Sequence, residues 1–318
     1  MELETAAPPS SSLTSYFRLE EGRALPCEFE DAQIICYNVP GAAEQAEMQE
    51  LYGIDYHTLQ SSLDPDELSR LEFETDHAAI IFKRPKSYCA DDNFLLKVTS
   101  TGLFLYPERL VVVMPDDAPL FEGRVPFAME NLQHVVLRQL YQSISHFDGH
   151  LKAINMLSDS IEKRLHTSME NKYLLHMFAL EKSLVYILNS LSGNTALVEK
   201  LKANAAKLDF DRDELDILDD LAIENQQCFR RADIYAQVIG SLMDARASII
   251  NNNMNQLMKK FTITMLAVML PTAVTAVFSM NVALPIPMEN AWWPFWLILL
   301  LSAAPTLLIL WLWRVKKW

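Results

Sequence analysis

Charge is almost missing from residues 261–318, where only Glu289, Arg314, Lys316 and Lys317 carry it, for a net +2. The first 260 residues therefore hold −16, against −14 for the whole chain of 318. Basic residues are in deficit, with 27 Lys+Arg against 41 Asp+Glu. Such a surface repels a phosphate backbone and attracts cations, which excludes a nucleic-acid partner. Cysteine is scarce: Cys27, Cys36, Cys89 and Cys228 form no C-x-x-C pair, so they read as thiols of a reducing compartment rather than a disulfide framework. The N-terminus lacks a basic stretch followed by an apolar one, and no secretory leader is expected. Glycine-rich phosphate loops, a His-Glu-x-x-His helix and a nucleophile elbow are all missing, which argues against an enzyme and against an ATP-driven pump.

What is present near the C-terminus are two uncharged runs. Residues 261–284 (FTITMLAVMLPTAVTAVFSMNVAL) and 291–313 (AWWPFWLILLLSAAPTLLILWLW) are each long enough to cross a hydrocarbon core. Trp292, Trp293 and Trp296 stand at one end of the second run, and Trp311, Trp313 and Trp318 at or beyond the other, as interfacial aromatic belts require. A short loop, 285–290, joins the runs and carries Glu289. Lys259 and Lys260 before the first run, and Arg314, Lys316 and Lys317 in the 314–318 tail, place both termini in the cytoplasm of a two-span membrane protein.

Residues 1–26 read as a flexible N-terminus and 27–126 as an α/β domain. Its candidate strands are AQIICYNV, HAAIIFKR, FLLKVTST, GLFLYP and RLVVVMP. Helical pieces lie between the first two, including DPDELSRLEFE after an Asp64-Pro65 start. Residues 127–208 read as amphipathic helices with a weak break at Ser192-Gly193-Asn194. From Asp213 to Met280 the only Gly is Gly240 and the only Pro is Pro271, which permits one helix roughly 100 Å long. Its part within 209–260 forms a stalk leading into the first span.

Two periodicities mark this helix. Phe229, Ala236, Met243, Ile250 and Leu257 recur at sevens, which favours association with another helix. Met258, Thr262, Met265, Met269, Thr272, Ala276 and Ser279 follow in alternating steps of four and three; thioethers, hydroxyls and small groups on one face suit pore lining and helix packing alike. Acidic residues crowd the helix start, from Asp209 to Glu224. A charge run of this kind ordinarily solvates a helix face, and acids favour a helix N-terminus. His146 and His150 have metal-pair spacing but no visible third ligand, so a packed or solvated pair is expected.

The run NNNMNQLMKKFTITMLAVMLPTAVTAVFSMNVALP resembles the stalk end, first span and signature of the CorA-type magnesium transporter superfamily. The likeness rests on Asn252 and Asn255 before a Met-Lys, a Thr-bearing span with the central Pro271, a terminal motif, a second span and the basic tail RVKKW. Upstream, LYGIDYHTLQSSLDPDELSRLEFETDHAAIIF is similar to the family's N-terminal domain. The terminal motif departs from the family's Gly-Met-Asn: it is Ser279-Met280-Asn281.

The resemblance implies a funnel-shaped homopentamer, with an α/β cytoplasmic domain, long helices and two C-terminal transmembrane helices, in the cell (inner) membrane. It implies passage of hydrated Mg2+, with Co2+ and Ni2+ as further cargo, down the electrochemical gradient. Asn255, Met258, Thr262, Met265, Met269, Thr272 and Ala276 would line the pore, Ser279, Met280 and Asn281 would form the selectivity signature, and Glu289 would attract cations at the loop. Asp219 and Asp220 would contribute to a regulatory divalent-cation site. No other cofactor is implied; the partners are further copies of the chain, the lipid bilayer and metal cations. A transporter for Zn2+ or another transition metal, or a non-conducting scaffold or sensor, remains the alternative.

Overall fold

The computed structural model describes residues 13–86, 95–121, 123, 125–167, 171–280 and 292–316. They form two compact units, 1–241 and 242–318. The first is built on a seven-stranded sheet of β1 (Leu13–Glu20), β2 (Arg23–Pro26), β3 (Ile34–Asn38), β4 (Arg70–Phe73), β5 (Ala78–Pro85), β6 (Val98–Leu105) and β7 (Leu110–Met114). Strand order is β2-β1-β3-β7-β6-β5-β4, and only β3 and β7 run parallel. Helices α1 (Ala42–Tyr52) and α2 (Tyr56–Leu63) follow β3, while α3 (Leu132–Thr167), α4 (Asn171–Ala203) and α5 (Arg212–Phe278) follow the sheet.

Strands β3 and β7 are buried at every position, as expected for strands covered on both faces. On one face Ile35, Tyr37, Phe104, Val111 and Val113 join Met48 of α1 and Leu59 of α2 in a single core. Helices α3 and α4 pack against β5. The expected strands are present, except that FLLKVTST and GLFLYP merge into one continuous β6.

Three expectations are corrected. Residues 13–26 of the expected flexible N-terminus belong to the sheet: β1 and β2 form a hairpin with Glu20 opposite Arg23. Its two-residue turn, Glu21 (φ 49°) and Gly22 (φ 74°), matches the right-handed strand twist. Secondly, DPDELSRLEFE does not continue as a helix. The carbonyls of Asp64 and Pro65 accept hydrogen bonds from Ser100 Oγ and Lys83 Nζ, and Arg70–Phe73 pairs with β5 instead.

Thirdly, α4 passes unbroken through Ser192-Gly193-Asn194. Gly193 is there for proximity, since a Cβ would lie 3.2 Å from Ser69 Oγ. Asn194 completes the sheet. Pairing of β4 with β5 stops at Arg70 opposite Ile81, and beyond it Asn194 Oδ1 accepts from Lys83 N at 3.0 Å while Nδ2 donates to Lys83 O at 2.8 Å. A side-chain amide thus replaces the missing strand, with Ser69 Oγ donating to the same Oδ1 at 2.8 Å. Asn194→Leu should destabilise the first unit by about 2–3 kcal/mol, because a buried N–H is orphaned. A lowered thermal midpoint in detergent checks this; an unchanged midpoint would mean that Lys83 N finds another acceptor.

The buried face of α5 in this unit is Leu218, Leu221, Asn225, Cys228, Ala232 and Ile239. The heptad seam is a different face: Phe229, Ala236 and Met243 are half-buried, while Ile250 and Leu257 are exposed. The second unit holds the rest of α5 and α6 (Trp293–Lys316).

Candidate functional site

Both helices of the second unit are long and apolar enough to cross a membrane, by length and composition. The exposed tryptophans Trp292, Trp293 and Trp296 mark the start of α6, and Trp311 and Trp313 its end. Each helix half-buries one face. On α5 it is Ile263, Ala267, Leu270, Pro271, Val274 and Phe278; on α6 it includes Ile298, Ser302, Pro305, Thr306 and Ile309.

Met258, Thr262, Met265, Met269, Thr272, Ala276 and Ser279 are all exposed. At about 100° per residue their mean direction lies on the far side of α5 from the half-buried face. The structure therefore brings the expected stripe together on a surface that α6 leaves open. Asn255, nearer the stalk, is exposed as well. The hydroxyls are not idle donors: Thr262 Oγ1 donates to Met258 O at 2.9 Å and Thr272 Oγ1 to Val268 O at 2.8 Å. Each hydroxyl oxygen keeps lone pairs directed outward, so the face presents acceptors rather than protons, which suits a cation or its waters.

At the end of α5, Ser279 N donates to Thr275 O at 3.0 Å and Ser279 Oγ donates to the same carbonyl at 2.9 Å. Ser279 thus holds the last turn with two donors where a glycine would offer one. Met280 is exposed. Asn281 and Glu289 lie outside the described residues, as do the 285–290 loop and the end of the expected first span.

Pro271 leaves a vacancy in the α5 ladder, because it has no N–H for the carbonyl of Ala267, four residues earlier. Thr306 Oγ1 of α6 stands 3.3 Å from Ala267 O and 3.5 Å from its own-helix Ser302 O. A hydroxyl from one apolar helix thereby serves the backbone of the other.

Within the first unit the acidic segment divides. Glu214 is 1% exposed, and its Oε2 accepts from Asp211 N at 2.9 Å while Asp211 Oδ1 accepts from Glu214 N at 3.1 Å. This reciprocal cap starts α5. Asn131 Nδ2 donates to Glu214 Oε1 at 2.7 Å, tying the cap to the start of α3, and His134 Nδ1 lies 3.5 Å away. Asp213, Asp216, Asp219, Asp220 and Glu224 are exposed, and Asp219 is paired with Lys202 of α4. Among the described residues no three His, Cys, Asp or Glu side chains of the chain could hold a metal ion together.

His146 and His150 stack edge to face at 4.6 Å. Burial, with a smaller contribution from His146, pushes His150 down to about 4, so the ring is neutral near pH 7. The pair packs on α3 with no third ligand among the described residues.

Three residues escaped the sequence reading. Asn194 lay inside what looked like a turn, Glu214 inside a charge run, and Thr306 in a span with no obvious partner for it. Only the capping pattern Asp211-x-x-Glu214 carried a usable local signal.

An α/β unit of this topology, followed by a helix of 67 residues and a second apolar helix, defines a class of membrane-associated proteins with one large extramembrane domain. Residues 30–317 match the family described as CorA-like Mg2+ transporter protein, and the chain belongs to that family. It is 24% identical over 309 residues to the cobalt/magnesium transport protein CorA of Methanocaldococcus jannaschii, covering 91% of this chain and 93% of that one. The complete structure of the M. jannaschii CorA magnesium transporter superposes with a TM-score of 0.78 at 20% identity, over 95% of this chain and 97% of the other. The full-length CmaX protein gives 0.71 at 16% identity, over 96% and 98%. These likenesses show a shared fold.

Proposed function

We propose that five copies of this chain surround the stripe face of α5 and conduct a hydrated divalent cation, Mg2+ first, down its electrochemical gradient. The observation that carries this reading is the open stripe: in a member of this family, α6 covers one side of α5 and leaves Met258 to Ser279 uncovered on the other. One or two such helices cannot enclose a path, whereas a ring can. The exposed Ile250 and Leu257 of the heptad seam offer further surface to neighbouring copies. Mg2+ gives up its waters reluctantly, so neutral hydroxyl and amide oxygens can pass it hydrated. An inside-negative potential adds about 2.3 kcal/mol per charge per 100 mV, and twice that for a divalent ion. Positive flanks put the acidic first unit in the cytoplasm of the cell membrane, where Glu289 on the opposite side draws cations to the mouth. The protein acts as a transporter and not as an enzyme.

Liposome flux with Mg2+, Co2+, Zn2+ and K+ under an imposed potential tests the proposal, together with the mass of the detergent-solubilised assembly. Saturable Mg2+ entry into vesicles containing a pentamer is expected. Zn2+ entry alone, or no flux, would overturn the choice of cargo or the transport reading itself.

Asp219 and Asp220 serve in this reading as part of a cytoplasmic cation sensor shared between copies, since among the described residues one copy brings no three such ligands together. Lys202 is paired with Asp219, so a divalent ion binding there competes with an ammonium. Changing both aspartates to Asn should raise basal flux several-fold and weaken inhibition by internal Mg2+. An unaltered Mg2+ dependence would reduce the cluster to a solvated helix face.

A further inference from the structure

We infer that Thr306 of the outer helix α6 is a positioning residue for the pore helix: its hydroxyl completes the hydrogen bonding of α5 at Pro271 and so sets the bend of the half-helix that follows. The inference rests on the transport reading for its consequence, though not for the bond itself.

Pro271 removes the donor that Ala267 O would receive in an unbroken helix, and the ring also crowds that carbonyl. Left alone, the two separate, and α5 hinges away from the proline side. Ala267 and Pro271 are both on the half-buried face toward α6, so the hinge would drive Thr272, Ala276 and Ser279 toward the stripe side. In the ring of copies that is inward. Thr306 Oγ1, 3.3 Å from Ala267 O, supplies a donor in place of the missing one from the α6 side. Its alternative acceptor, Ser302 O at 3.5 Å, keeps the proton within α6, so the hydroxyl can hold the joint or release it by a small rotation. Bulk water is not available in the hydrocarbon region to replace the bond, and a neighbouring Ser or Thr hydroxyl is one of the groups that can. The pore wall thus has a soft point whose shape is set by a residue that does not line the pore.

The physical opposite is equally defined. Pro271→Ala restores an N–H at residue 271 and makes Thr306 redundant. Thr306→Val removes the donor while keeping the branched shape, and Thr306→Ser keeps the donor.

The test uses the full-length protein in liposomes. Ala carbonyl and Val nitrogen labelling reports three sequential pairs by solid-state NMR, those beginning at Ala267, Ala273 and Ala276. Thr306→Val should shift the Ala267 carbonyl alone, and lower Mg2+ flux about fivefold, the effect of one ordinary hydrogen bond on a two-state equilibrium. Thr306→Ser should retain the parent's shift and flux. In the Pro271→Ala background, Thr306→Val should alter neither quantity. An Ala267 carbonyl that ignores Thr306→Val overturns the bond. Flux in Thr306→Val at or above the parent's, or an equal loss with and without Pro271, overturns the positioning role and leaves only packing. A parent that passes no cation removes the transport reading, and the carbonyl measurements then decide the joint by themselves.

Discussion

A cysteine introduced at Met265 or Met269 is expected to make Mg2+ flux fall more than tenfold when a small cationic thiol reagent is added, whereas one at Leu270 or Val274 should leave flux unchanged. The two sets differ by which side of α5 they occupy, the stripe or the face toward α6. A thiol reacts as thiolate, which forms only where water reaches it. Lipid or a packed helix interface keeps it protonated and out of contact with a charged reagent. A positive group fixed in a narrow path then repels an entering divalent cation at close range. The native thiols interfere little. Burial raises Cys36 to about 12 and Cys228 to about 11, so neither supplies much thiolate near pH 7. Cys27 is only half-buried and Cys89 lies outside the described residues, so both are changed to Ser in the parent. Equal reactivity on the two faces would show that the stripe is a helix-packing surface and that the ion passes elsewhere.

Legibility in the sequence followed the range over which each physical constraint acts. The 67-residue α5 was readable because a helix is excluded mainly by Gly and Pro, and both are nearly missing there. The strands β3, β5 and β7 were readable as short apolar runs. The β1–β2 hairpin was not, because its turn is Glu21-Gly22 rather than one of the usual Asn-Gly or Asp-Gly signals, and its strands are partly polar. The stripe on α5 was visible as a spacing, but spacing cannot say which face a neighbouring helix covers; that requires the register of α6. The same limit hid Thr306, whose partner carbonyl is 39 positions away. Asn194 misled for a related reason. Asn and Gly favour turns locally, yet here both lie within a helix because a strand edge 111 residues distant needs a close approach and a substitute amide. Acidic residues could be counted from sequence, and the spacing Asp211-x-x-Glu214 hints at a cap, but packing is what buries Glu214 while Asp219 and Asp220 stay exposed.

Under the proposed transport reading, substitution should cost most at Ser279-Met280-Asn281, the motif proposed to select the ion. Asn281→Leu is expected to lower Mg2+ flux at least about tenfold with assembly intact, since a ring of side-chain amides would vanish while the faces that pack α5 on α6 would not change. Asn281→Asp should do the opposite to binding: in the proposed ring of five copies the added carboxylates would hold a divalent ion strongly, so half-saturation should fall while maximal flux also falls, because an ion must leave as well as enter. Ser279 supplies the complementary control. Its hydroxyl ties the last turn of α5 back to Thr275 O, which stiffens the approach to Asn281 without reaching into the ladder of any other helix. Ser279→Gly removes that tie and frees the backbone, so the mouth should accept a wider set of cations while the rate for Mg2+ is largely kept. The measurements are liposome flux for Mg2+, Co2+ and Zn2+ across the three variants, each checked for oligomer mass. If Asn281→Leu retains saturable Mg2+ entry at the parent's rate, the ion is selected below the mouth, and the hydroxyls of Thr262 and Thr272 become the groups that choose it.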